Sequence, residues 1–335
     1  MISPFALLLA LWGGSPARAA DGFSVALSEE AHQLGLQDED VSGALGAADV
    51  LHLGDPDAYL RSMADAAALA TKGMGVDYAS NFEKFTFGWS VGSGVSGDGV
   101  HLGRGGGEVP GYGFSLQMCG TAGLNLGVLS GGEGFLSHIV IFGHGLAMNT
   151  GGQAFDASLT NYGAHLQLRL VKPVEDAEFA WGGIAITGGY EHAAYRLDLV
   201  QALPISAPAG GVDLTWDATG TYMVQATSDS FPVEVSTNLR VIFLTAFIGA
   251  GMDFNTGSAR AAMELTGPLT ADMNAGSAEI GTATLSSLHD GMPGPSFPRV
   301  FGGAQLNLFV VKLYGQVNMG LDEGFGAHAG MRIAL

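Results

Sequence analysis

The sequence predicts an all-β chain: a transmembrane antiparallel β-barrel of about 12–14 strands with a short helical N-terminal segment. Three observations predict it. Apolar and polar residues alternate with period two through most of residues 81–335, as in strands with one greasy face. Only 13% of the 335 residues are charged, 47% are hydrophobic and 53 are Gly, whereas a soluble domain carries about 25% charged residues. No run of about 18 apolar residues follows the first dozen positions, so no helix is available to cross a bilayer. Membrane residence then requires a closed barrel, because lipid cannot satisfy an open sheet edge.

The chain opens with a secretory signal over residues 1–19. Phe5 to Trp12 is an apolar core, Gly13 to Pro16 breaks it, and Ala17-Arg18-Ala19 offers small residues for cleavage. Residues 20–80 read as a helical segment, either a plug or periplasmic cap or a simple N-terminal packing element. In it, Asp55 caps a helix with Tyr59, Leu60, Met63, Ala67 and Ala70 on one face, ending at Gly73. Shorter helical turns are expected around Ser28 to Gln33 and Val41 to Leu51.

Residues 81–335 read as the barrel. Phe85, Phe87, Trp89 and Val91 alternate with Lys84, Thr86, Gly88 and Ser90, and Tyr112 to Val128 and Tyr162 to Leu170 repeat the pattern. Val212, Leu214 and Trp216 alternate with Asp213, Thr215 and Asp217, continuing through Tyr222, Val224 and Ala226. Further strands are expected at Phe135 to Met148, Phe179 to Tyr190, Ala194 to Gln201, Phe231 to Thr237, Leu239 to Phe254, Ser258 to Thr266, Ser277 to Ser287, Arg299 to Val310 and Val311 to Leu321. Gly- or Pro-containing stretches at Gly92 to Gly111, Asn149 to Gly152, Pro204 to Gly211 and Leu288 to Pro298 separate them. The first and last suit extracellular loops, and Leu321 to Gly324 suits a periplasmic turn.

Charge tests this parity, since a Lys or Arg facing lipid at mid-membrane costs about 2–4 kcal/mol while one facing a wet lumen is solvated. With the apolar parity outward, Lys84, Arg169, Arg196, Asp198, Asp213, Asp217, Glu234, Arg260, Glu264, Lys312 and Arg332 are predicted to face the lumen. Trp89, Tyr112, Tyr162, Trp181, Tyr190, Tyr222, Phe231 and Phe325 are candidates for interfacial girdles.

The last strand runs to the final residue, with Phe325, Ala327, Ala329, Met331, Ile333 and Leu335 alternating with Gly326, His328, Gly330 and Arg332. This ending resembles the C-terminal assembly signal of bacterial outer-membrane β-barrels, in which a polar residue, a glycine, a hydrophobic residue and a terminal hydrophobic residue follow at set spacing. His328, Gly330, Ile333 and Leu335 fill those places, with Leu335 where the family usually has Phe or Trp. The resemblance implies residence in the bacterial outer membrane, with outer-membrane lipid and the barrel-assembly machinery as partners. The architecture is also similar to porins and to fatty-acid-type hydrophobic transporters with an N-terminal plug, although the Asn-Pro-Ala-Gly segment of the latter is absent.

Other chemistry finds little support. A net charge of −19 leaves no basic patch to neutralise phosphates, which excludes nucleic acid. Cys119 is the single cysteine, so no intrachain disulfide forms. No nucleophile elbow, metal-ligand set or phosphate loop stands out among the histidines, the acids or Gly92 to Gly107. No catalytic residue, metal or cofactor is predicted. The function expected is a pore or transporter for small solutes or hydrophobic compounds. The alternatives are a non-transporting surface barrel in adhesion or envelope integrity, and a soluble secreted β protein.

Overall fold

The computed structural model describes residues 22–33, 35–47, 56–97, 112–171, 173–175, 179–273, 276–321 and 324–335. The signal at 1–19, the Asp55 cap and most of the Gly92 to Gly111 stretch lie outside them. In chain order the elements are β1 (Phe23–Leu27), α1 (Glu29–Gln33), α2 (Asp38–Ala47) and α3 (Pro56–Thr71). Then follow β2 (Phe85–Ser96), β3 (Gly113–Asn125), β4 (Ile139–Gly151), β5 (Phe155–Val171), β6 (Val174–Glu175) and β7 (Phe179–Ala209). The rest are β8 (Val212–Val241), β9 (Leu244–Met273), β10 (Gly276–Gly291), β11 (Ser296–Leu308), β12 (Val311–Gly320) and β13 (Phe325–Ala334).

These strands form one 13-stranded sheet, within the expected total. Ten of them close a ring through antiparallel ladders, in the order β2, β3, β4, β5, β7, β8, β9, β11, β12, β13 and back to β2. The last strand makes the closure: Met331 is registered on Trp89 and Ile333 on Phe87. Leu335 finishes it, its N–H donating to Phe85 O at 2.9 Å and its carbonyl accepting from Lys84 N–H at 2.8 Å. A ring leaves no edge for lipid to face.

Three strands are far longer than a bilayer needs. β7 has 31 residues and β8 and β9 have 30 each, against about 9–11 for a spanning strand. The sequence reading divides β7 and β8 at their Gly, Pro and Ser residues, but ladder pairing continues through those positions. It also runs Leu239 to Phe254 as one strand, where a hairpin turns at Ile242 and Phe243. Beyond the ring, the surplus lengths of β7, β8 and β9 continue as a sheet extended by β10 on β9 and β1 on β10. β9 changes partners on one edge: Leu244 to Phe254 pair with β11 and Ala259 to Met273 with β10. The extension leaves from the rim opposite the chain end, and the Leu321 to Gly324 junction lies on that extension rim too.

The outer wall of the ring is apolar. Phe87, Trp89 and Val91 on β2, Phe114 and Leu116 on β3, Leu166 and Leu170 on β5, Val233 and Val235 on β8, and Ile248 and Phe254 on β9 are all exposed. The alternate residues of the same strands, among them Ser90, Gln117, His165, Glu234 and Asp253, are buried in the lumen. An exposed band of this size is unstable in water, and it matches the apolar belt of a membrane barrel.

The inner face of the extension is covered by the N-terminal elements. Ala31, Leu36, Val41 and Leu45 of α1, α2 and their connection pack on Leu214, Trp216, Leu265, Leu269 and Ile280, with Phe23 of β1 edge-on to Trp216 at 5.8 Å. Here amphipathic helices do for one face of the sheet what lipid does for the opposite face of the ring.

Candidate functional site

The lumen is filled by the chain's own residues 56–82. Helix α3 suits this because its turns are built from Ala and a few larger apolar residues, a slim and strongly helix-favouring set. Leu60, Met63, Ala64 and Ala67 pack against Val224, Ala226 and Ala259 of the wall. On other sides the wall offers glycines. A Cβ added to Gly94 would stand 2.2 Å from Ala66 O, and one added to Gly113 would stand 2.0 Å from Ser62 O. Backbone of the helix therefore rests directly on backbone of β2 and β3, an approach that only Gly permits.

Past α3 the chain turns at Gly73, whose φ of 79° lies in the left-handed region, and descends to the rim where β2 begins. Its residues Val76, Tyr78, Ala79 and Phe82 form an apolar stopper with Val140, Phe142, Phe247, Phe301 and Ala334. The lumen thus ends in a packed core at the short-turn rim.

Between these apolar layers lie three buried polar attachments. Lys72 Nζ reaches Glu191 Oε2 at 2.8 Å, and the Thr71 hydroxyl donates to the same oxygen at 3.2 Å. The second centres on Arg299, whose Nε donates to Asp253 Oδ2 at 2.7 Å and Nη1 to Asn318 Oδ1 at 2.9 Å, while Nη2 bonds Glu234. Glu234 also accepts from Tyr78 OH at 2.6 Å, tying this cluster to the plug. In the third, Arg332 Nη1 stands 2.9 Å from Asp77 Oδ1 and its guanidinium lies 3.7 Å over the Tyr314 ring.

Two plug acids carry shifted titrations. Burial by itself would raise Asp77, but the Arg332 guanidinium, helped by the backbone N–H groups of Ala79 and Ser80, holds it below the ordinary carboxylate range. Asp65 on α3 moves the other way, raised by burial to about 6 against the pull of the Gly294 N–H and Arg61. That N–H donates to Asp65 Oδ1 at 2.8 Å, linking the plug to the β10–β11 turn.

The charged residues singled out in sequence divide into two groups. Glu234 and Arg332 point into the lumen and are buried; Arg169 faces it near the stopper, its Nη2 donating to Phe82 O at 3.4 Å. Lys84 and Lys312 lie at the short-turn rim, where Lys312 Nζ donates to Phe309 O at 2.6 Å. Arg196, Asp198, Asp213, Asp217, Arg260 and Glu264 correct the prediction: Arg196 and Asp198 stand on the outer side of β7 at the extension-rim end of its ladder with β5, and the other four on the outer side of the extension. Arg196 pairs with Asp198 and Arg260 with Asp290, both exposed. The physical reason is that the apolar residues alternating with them, Leu214 and Trp216 among them, face the helices α1 and α2, which lie on the lumen side of the sheet.

The assembly-signal residues lie on the closing strand, with His328 in the lumen and Ile333 and Leu335 on the outer surface. At Gly330 an added Cβ would meet Trp89 O at 2.5 Å and the Tyr314 ring at 2.6 Å. Of the girdle candidates, Tyr162, Tyr190 and Phe231 gather on the outer wall toward the extension, while Tyr222 packs on the covered side of the extension. Lys72, Asp77, Glu191, Asp253 and Arg299, the residues that hold the plug, are not among the charges that the strand parity singles out. The one available signal was a charge inside a small-residue run, as in Gly188-Gly189-Tyr190-Glu191-His192-Ala193. Among the described residues no group of three His, Cys, Asp or Glu side chains could hold a metal ion.

A closed ring with an apolar outer wall and a polar, occupied interior defines a plugged β-barrel of the outer-membrane type. The chain belongs to the Lsa36-like family, whose model matches residues 38–335. No curated protein sequence matches it. Among solved structures it is similar to the CymD monoaromatic hydrocarbon channel, at 8% identity and a TM-score of 0.23 over 82% of this chain and 98% of that one. The transport unit of the Escherichia coli autotransporter AIDA-I gives 9% and 0.24 over 83% and 99%, and the Pseudomonas putida toluene transporter TodX 7% and 0.22 over 79% and 96%. Scores this low carry no functional argument.

Proposed function

We propose that this protein resides in the bacterial outer membrane as a sealed barrel, a membrane anchor that holds its sheet extension at the surface. The observation that carries this reading is the seat of α3, where helix backbone meets the wall glycines Gly94 and Gly113 with no room for a Cβ. Buried ion pairs at Lys72 and Asp77 fix the same segment further down. On this reading the plug closes the lumen, and the surface that interacts is the polar outer face of the extension.

A second reading, a pore or transporter that opens when α3 withdraws, is favoured by the wall behind the plug. Buried His144 has both ring nitrogens without hydrogen-bond partners among the described residues, a costly arrangement in a permanently dry core and a reasonable one in a lumen that is wetted.

Planar-bilayer recording separates the two. Folded wild-type protein and a Lys72→Ala/Asp77→Ala variant are compared after both show the heat-dependent mobility shift of an intact barrel. The sealed anchor predicts silence from both, because the glycine seat still holds the helix. Current from the variant alone establishes the gated channel, and steady current from wild type sinks the sealed barrel.

A further inference from the structure

At the short-turn rim the hairpins carry residues that turns in water avoid. The β8–β9 turn is Ile242-Phe243 and the β11–β12 turn is Phe309-Val310, where two-residue hairpin turns favour Asn-Gly or Asp-Gly. Ile242 has φ of 54° and Phe309 φ of 56°, a left-handed conformation that is strained for a β-branched or bulky side chain. The strain is not offset by burial within the protein, since Ile242 is 66% and Phe309 96% exposed. Leu129 and Phe135 are also exposed in the β3–β4 connection at this rim.

The polar atoms of the same turns are satisfied from within. Phe309 O accepts from Lys312 Nζ at 2.6 Å, and Val310 O accepts from Ala334 N–H at 3.0 Å. Phe243 O accepts from both the N–H and the side-chain amide of Asn307, at 2.7 and 3.2 Å. A turn in water has no need of such partners, whereas one in a low-dielectric medium does. Apolar tips with internally capped carbonyls are also continuous with the apolar outer wall, through Val241 and Leu244 on one hairpin and Leu308 and Val311 on the other.

We infer that this rim is immersed in the phospholipid interface, so that lipid covers the turn tips and the barrel sits with its short-turn end sunk in the membrane and its extension end clear of it. The inference rests on the membrane reading above and adds the partner of this rim. Lys84 and Lys312 at the rim fit the headgroup layer, where a long basic side chain can place its ammonium group among phosphates.

The test uses full-length protein with Cys119→Ser and Phe309→Cys, labelled with an environment-sensitive fluorophore and refolded into phosphatidylcholine vesicles with or without shallow nitroxide-labelled lipid. Phe243→Cys serves as a second site should the first variant fail to fold, and Asn149→Cys on the extension rim as the control. Immersion predicts a blue-shifted emission and at least twofold quenching at Phe309 and Phe243, with little quenching at Asn149. A heat-shifted, inserted barrel whose turn labels emit as in water and escape the quencher overturns the inference while leaving the barrel reading intact. Failure of the heat-shifted form to associate with vesicles overturns both.

Discussion

The two halves of β8 have opposite polarity on the same faces. From Phe231 to Val241 the outward residues Phe231, Val233, Val235, Leu239 and Val241 are exposed and apolar, and the inward Glu234, Ser236 and Asn238 are buried and polar. From Val212 to Thr219 the outward residues are Asp213, Thr215, Asp217 and Thr219, while the inward Leu214, Trp216 and Ala218 are buried. The ladder to β7 runs through both halves with one bulge, between Trp181 and Ile184, and the ladder to β9 keeps one register throughout, so the pleat of β8 does not distinguish them. What changes is the medium. In the ring the outside is lipid and the inside a polar lumen; in the extension the outside is water and the inside is closed by α1 and α2.

The largest effect that would break this comparison comes from Trp216, fully buried beneath the N-terminal elements. Trp216→Ala should cost about 3–5 kcal/mol, confined to the extension: proteolysis should open residues of β1, α1 and α2 while the heat-dependent mobility shift of the ring remains. Loss of the shift would show that the two regions fold as one unit.

Next in size is a matched pair of outward charges. Val233→Arg should destabilise the folded barrel in lipid by about 2–4 kcal/mol, while Thr215→Arg, on the same outward face of the same strand, should stay within about 0.5 kcal/mol. Urea titration in vesicles measures both. Equal costs would mean that the ring wall and the extension face the same medium.

The smallest effect lies at the junction, where Asp65 on the plug meets Gly294 near the start of β11. A carboxyl raised to about 6 by burial holds a proton in the folded state that the unfolded chain, with an ordinary value near 4, has released. Its stabilising contribution is full below about pH 4 and is lost as pH rises through about 6. Asp65→Asn should therefore raise the melting temperature of the plug at pH 8 relative to wild type and leave little difference at pH 4. A gain that grows on acidification would reverse the assignment. Asp77, held low by Arg332, has the opposite sign: its contribution is present above about pH 4 and is lost at lower pH.

Sequence parity found the strands because a side-chain period of two survives any change of medium. It also placed Glu234 and Arg332 in the lumen, since the ring wall is apolar outside. It misplaced Arg196, Asp198, Asp213, Asp217, Arg260 and Glu264 because alternation shows which residues share a face and is silent on what that face meets. The plug attachments were less legible still. Lys72, Glu191 and Arg299 are single charges on elements far apart in the chain, and nothing in their local sequence marks them as partners. The glycines at 94 and 113 read as loop or strand punctuation, although their use is to let a helix backbone touch the wall.

By itself the sequence determined a β chain with one apolar face per strand, a helix of slim residues before it, and a last strand in register to the final residue. These follow from local rules: propensity, period and turn chemistry act over a few residues. Only the tertiary structure decided that ten strands close the ring, that three of them outgrow it, and that the helix lies inside rather than beneath. Those outcomes depend on which faces meet lipid, water or the chain's own N-terminal segment, and burial is a property of the assembled fold.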